Sequence, residues 1–272
     1  MKYNVLFLAI TIMISWNVFS FNPDELFVNG YYHQDEVLTP EEGIIINAKV
    51  DGEYQNFVLA AFPPSFMEWN IKKRKQAIND IVEHQPPHLN GPHNGVVATY
   101  GYKRNDSFFA LNNSVKGMGF IPRRDTIKEL MINLKSTQNE PYNVKLGVIR
   151  DLYDNVEKWF DLHGQISLEL YSERQFLTQT FLNQAFNPVS TIVYLDIPSY
   201  KFKAITQLLD PHDPTLTGYA RDLADYANLI HSYFHGEFNK EFIAVIYWAI
   251  EIYDNSPGRL DARGLRIVPP MP

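Results

Sequence analysis

Asp51 and Gly52 stand between two apolar stretches in "GIIINAKVDGEYQNFVLAAF". An Asp-Gly pair in that setting is a strong sign of a two-residue hairpin turn with positive φ at Gly52, a conformation glycine adopts without steric cost. Residues 44 to 62 therefore read as a β-hairpin, which commits the chain to antiparallel pairing. No cysteine is present, so neither disulfides nor thiolate chemistry can support the fold or a site. The core must hold the chain together, and 45% hydrophobic residues against 20% charged ones are enough to build one.

The pattern around the hairpin is mixed. After Pro63 and Pro64, "SFMEWNIKKRKQAINDIVEH" carries apolar residues at helical spacing, with Ser65 and Glu68 spaced as a capping box and Pro86 and Pro87 as a stop. The run "KKRK", Lys72 to Lys75, lies in that helix and reads as a solvated face. "GVVATYGY" and "SFFALNN" read as a strand pair, and Asp125 is placed to cap a helix through "TIKELMINLK". "YNVKLGVIR" reads as a strand, residues 151 to 163 as a helix stopped at Gly164, and "QISLELY" as a further strand. Ser172 and Gln175 have capping-box spacing before "FLTQTFLNQAF", and "STIVYLDI" is a buried strand. "NKEFIAVIYWAIEIYDN", apolar on all sides, reads as a buried helix. The expected class is α+β, a largely antiparallel sheet with helices on one face and a helical C-terminal quarter; a three-layer α/β sandwich is the alternative.

The start "MKYNVLFLAITIMISWNVFS" combines Lys2, an apolar run from Val5 to Trp16, and Val18 and Ser20 before Phe21. These are the parts of a secretory signal peptide over residues 1 to 20. The run is too short to cross a hydrocarbon core that needs roughly 20 apolar residues. The expectation is a secreted or periplasmic protein with no stable membrane span after cleavage. Residues 21 to 272 then form a single domain with a helical subdomain from about 199. The formal net charge of −7 gives no sequence-wide attraction to phosphate backbones, so nucleic acid is not an expected partner.

Candidate chemistry gathers on histidine. In "TGYARDLADYANLIHSYFHG", helical stepping puts Leu223, Ala227, Ile230, Tyr233 and Phe234 in one apolar stripe, with His231 and His235 together on its border. Two imidazoles four apart can share a divalent ion such as zinc, although Ser232 stands where a metalloprotease helix carries glutamate. Glu237, His212 and Asp213 are the candidate third ligands. A second loop, "EHQPPHLNGPHNG", holds His84, His88 and His93. Each set also has a plain structural reading, as a helix flank satisfied locally and as a rigid connector. No phosphate-loop, dinucleotide or nucleophile-elbow motif is present, so no cofactor other than such a metal is implied.

Two function classes follow. One is an exported binding or interaction protein for a small ligand, glycan or partner protein, suggested by the sixteen tyrosines, eighteen phenylalanines and four tryptophans. The other is a metal-assisted hydrolase built on the His-x-x-x-His pair.

Overall fold

The computed structural model describes residues 23–40, 43–86, 88–258 and 264–270. The expected leader over residues 1 to 20 and its expected cut before Phe21 lie outside the described residues. After a short 3-10 turn at Pro23–Leu26, β1 (Phe27–Val28) and β2 (Tyr31–Tyr32) pair as a small hairpin. β3 (Val37–Leu38), β4 (Ile45–Val50) and β5 (Glu53–Val58) form a three-stranded antiparallel sheet. The expected turn joins β4 to β5: Val50 faces Glu53 in register, and φ is +53° at Asp51 and +86° at Gly52.

α1 (Pro64–Val82) follows. It begins at Pro64, whose missing N–H is no loss in a first turn, and the Ser65–Glu68 capping box does not form. Next come β6 (Asn94–Thr99), β7 (Asn112–Gly117), β8 (Gly119–Pro122), α2 (Ile127–Thr137), α3 (Tyr142–Asp154) and the single turn α4 (Val156–Trp159). β9 (Phe160–Glu169), α5 (Gln179–Phe186), β10 (Val189–Val193), β11 (Tyr200–Leu209), α6 (Gly218–His235), β12 (Ile243–Asp254) and β13 (Leu265–Val268) complete the described chain.

Eight of these strands build one wholly antiparallel sheet in the order β7-β6-β10-β11-β12-β9-β8, with β13 pairing on β12. The two ends of that path, β7 and β8, are separated in sequence by Met118 alone, so the sheet curls back on itself. Across the seam the buried Lys116 Nζ lies 2.6 Å from Glu169 Oε2. The class is α+β, and the antiparallel pairing leaves no place for the three-layer parallel alternative.

Several elements differ from what the sequence pattern implies. The C-terminal quarter is not helical: α6 is a single helix between β11 and β12. "FIAVIYWAIEIYD" contains the longest strand of the sheet, flanked by β11 and β9, and every residue from Ile243 to Ala249 is buried. A strand covered on both faces loses its alternation and looks like a buried helix. "YNVKLGVIR" forms most of α3 instead of a strand. β7 starts at Asn112, so "SFFAL" lies before it. Asp125 bonds to Arg123 and caps nothing, and α5 is capped by Thr178, whose hydroxyl accepts the Phe181 N–H at 3.1 Å. Gly164 is a strand residue opposite Trp248, where an added Cβ would sit 2.5 Å from the Tyr247 carbonyl oxygen.

The helices divide between the two faces at β9 and β12. Gln184 of α5 donates to the Tyr247 hydroxyl at 3.3 Å, and Tyr247 is register partner to Gln165. Alternation turns Ile166 and Leu168 the other way, toward α3 and α6. No helix among the described residues is long and apolar enough to cross a membrane.

Candidate ligand-binding cavity

α1 and α3 run antiparallel. Arg150 Nη2 donates to Asn79 Oδ1 at 2.6 Å, and Lys75 pairs with Asp154 further along. Phe66, Asn70, Arg74 and Ile78 recur at four-residue intervals on the buried stripe of α1. With α6 and β9 these helices enclose a cavity of about 730 Å³. Ile149 and Leu152 of α3, Ile166 and Leu168 of β9, and Ile230 and Phe234 of α6 give it apolar walls; Met118 and Phe120 at the β7–β8 junction close one end.

The cavity has an inner end and a rim. Arg74, Phe120, Tyr153 and Tyr226 at the inner end are all buried. Toward the C-terminal ends of α1 and α6 and the first residue of α3, exposure rises: Ile81, Tyr142 and His235 are exposed. Asp80 at the rim stands 3.8 Å from His88 Nε2 and accepts a bond from Gln76 Nε2 at 2.8 Å.

Arg74 organises the inner end. It is 2% exposed. Its Nε donates to Asn70 Oδ1 at 2.6 Å, its Nη2 to the carbonyls of Pro92 at 2.9 Å and Met118 at 2.8 Å, and its Nη1 to His93 Nδ1 at 3.3 Å and more loosely to the Tyr153 hydroxyl at 3.4 Å. The guanidinium carbon lies 4.9 Å from the centre of the Phe120 ring. Burial first, and the Arg74 charge second, push the His93 pKa down to about 3, so that ring is neutral at ordinary pH. Because Nδ1 accepts from Arg74, the proton sits on Nε2, which is buried and has no partner among the described residues.

The two histidine sets meet at this cavity. His231 and His235 share one face of α6 as expected, with ring centres 4.7 Å apart, and His231 also stacks on Phe238 at 4.8 Å. Both line the cavity, as do His88 and His93 from the loop. His84 does not; it follows the last turn of α1 with φ at +55°. Burial, and then the neighbouring His235, lower the His231 pKa.

The candidate third ligands lie elsewhere. His212 and Asp213 precede the N-terminal end of α6, while His231 lies about 21 Å along its axis from Thr217 at 1.5 Å per residue. His212 and Asp210 are bonded to one another at 3.1 Å, and Asp213 is engaged by His33 and Thr215. Glu237 follows the break at Gly236, is exposed, and does not line the cavity. Among the described residues, no three His, Asp or Glu side chains gather as a metal-binding group.

Arg74 is the residue that the sequence misassigned, as part of a solvated basic run. The clue was its spacing, four residues after Asn70 and four before Ile78, on the stripe that holds Phe66. No model of a known protein family matches the chain, and no curated protein matches it in sequence.

Proposed function

We propose that the protein is an exported binding protein whose cavity between α1, α3, α6 and β9 takes up one small, largely apolar molecule. The observation that carries the reading is the cavity itself: about 730 Å³, walled by aliphatic and aromatic side chains, buried at one end and open at the other. Small-molecule sites fall in this size range and combine apolar walls with a few placed polar groups, here Arg74 and His93 inside and Asp80 and the other histidines at the rim. The leader over residues 1 to 20 supports export. The hydrolase reading has the adjacent imidazoles of His231 and His235 in its favour and, among the described residues, no third ligand beside them.

The test is titration with a neutral, environment-sensitive fluorophore such as N-phenyl-naphthylamine. Saturable binding of one molecule per chain is expected. Ile230→Trp, which fills the cavity from its wall, should abolish it at an unchanged melting temperature, while Val115→Trp on an exposed strand position should not. Saturable binding that Ile230→Trp leaves intact would defeat the proposal, as would the lack of any binding.

A further inference from the structure

Every cationic side chain is costly to bury unless an opposite charge accompanies it, since hydrogen bonds satisfy its donors without neutralising it. The charged residues lining the cavity differ in this respect. Lys73 is paired with Asp196 at 3.0 Å, and Asp80 has His88 beside it at the rim. Arg74 has no carboxylate partner among the described residues, although it is the most buried of the three. Its bonds go to an amide, an imidazole, a phenol and two backbone carbonyls, all of them neutral.

A second, independent observation lies beside it. His93 Nε2 is a buried donor with no partner among the described residues, on a ring that lines the cavity. Its tautomer is fixed by the bond from Arg74 to Nδ1, so it cannot turn into an acceptor while that bond stands. The inner end of the cavity thus offers an uncompensated positive charge and an unused N–H donor. Asp80, the acidic lining residue, stands six residues further along α1, about 9 Å toward the rim.

Building on the proposed binding function, we infer that the ligand is an amphipathic organic anion with a single carboxylate on an apolar body. The carboxylate seats at the inner end, accepting from His93 Nε2 in the field of Arg74, and the body lies along Leu152, Ile230 and Phe234 toward the rim. The walls keep water away from the pair, which makes the attraction stronger than the same contact in solvent. Bracing is a second role for Arg74, because it joins the Pro92 loop to the β7–β8 junction. The two roles separate by experiment, since a brace is indifferent to ligand charge.

Dodecanoate and dodecanol, equal in chain length, are titrated against the full chain at mildly alkaline pH by displacement of N-phenyl-naphthylamine. The expected result is that the acid binds at least about tenfold tighter than the alcohol. That preference should fall towards unity in Arg74→Met and fall measurably in His93→Phe, which removes the donor and keeps the charge. If Arg74→Met does not fold, the unsubstituted protein and His93→Phe still decide the question. Equal binding of acid and alcohol, or tighter binding of the alcohol, overturns the inference and leaves the apolar cavity standing. A preference unchanged in His93→Phe overturns the seat assigned to the carboxylate. Failure of both probes to bind overturns instead the binding function on which the inference rests.

Discussion

Nδ1 of His33 lies 2.5 Å from Oδ2 of Asp213, and the contact ties the N-terminal segment to the loop before α6. Tyr32 N–H donates to Asp210 Oδ2 at 2.8 Å in the same clasp, and Thr215 bonds the other Asp213 oxygen at 2.7 Å. The "DPHDP" loop, a candidate source of metal ligands, is therefore a tether.

The tether titrates from both sides. The bond to Asp213, against a smaller effect of burial, raises the His33 pKa above 6.5, so its contribution is full below 6.5 and is lost as pH rises through the raised value. For Asp213 burial acts upward, but the bonds from His33 and Thr215 outweigh it and hold the pKa below 3.8. Its contribution is full above 3.8 and is lost as pH falls through the lowered value. The stability difference between the protein and His33→Gln should therefore be largest between pH 3.8 and 6.5 and shrink above that window. Because the His33 side chain is 43% exposed, the difference should stay below about 1 kcal/mol. Urea midpoints measured across pH check this; a difference that grows above the window would rule the ion pair out as its source.

The β4–β5 turn gives a test free of packing effects. Among the described residues, no atom beyond its chain neighbours lies within 4 Å of a Cβ built on Gly52, so Gly52→Val acts chiefly through its φ of +86°. Placing a β-branched residue there should cost on the order of 1 kcal/mol or more, whereas Asp51→Asn should be close to neutral. Equal denaturation midpoints for Gly52→Val and the unsubstituted chain would contradict the strained turn.

The parts legible in sequence were those whose periodicity reports a single buried side. α1 and α6 each bury one stripe and leave the rest to solvent, and the β4–β5 hairpin announces itself through its turn. β12 is buried on both faces, so its eight consecutive apolar residues from Ile243 to Ile250 carry no period at all. α3 was misread because Tyr142, Val144, Val148 and Ile149 favour strands locally, and packing against α1 overrides that preference. At the site, both histidine groups were visible as spacing. Their meeting was not, because residues 88 to 93 and 231 to 235 come together only through the antiparallel packing of α1 with α3 and the docking of α6 beside them. Arg74 stayed hidden inside a run whose other three members are lysines.

The seam of the curled sheet depends on Lys116 and Glu169. Both are buried, and Glu169 Oε1 also receives a bond from the Thr178 hydroxyl at 3.3 Å. Lys116→Met leaves a buried carboxylate without its counter-charge and should cost about 3 to 5 kcal/mol. The double variant Lys116→Met, Glu169→Leu should recover most of that loss, since two apolar groups need no mutual neutralisation. Additive losses in chemical denaturation would show that the seam does not depend on the pair.

His231 and His235 define the last prediction. Folding holds His231 below its ordinary pKa of 6.5, through burial and the charge of His235, so the unfolded chain binds more protons below that pH and stability should fall as pH drops through it. At neutral pH His231 is free to act as a ligand, and the two rings are 4.7 Å apart at the cavity rim. Two imidazoles with no third ligand beside them among the described residues make a weak, solvent-completed site for zinc. Zinc should therefore bind in a form that EDTA removes readily, raise the melting temperature only at high metal concentration, and lose this effect in His231→Ala and in His235→Ala. Neither substitution should weaken displacement of the neutral fluorophore by dodecanoate more than about twofold, because the anion seats at the opposite end of the cavity, beside Arg74. Tight stoichiometric zinc that survives both substitutions would move the metal away from α6. A strong loss of dodecanoate binding in His235→Ala would instead place the carboxylate at the rim.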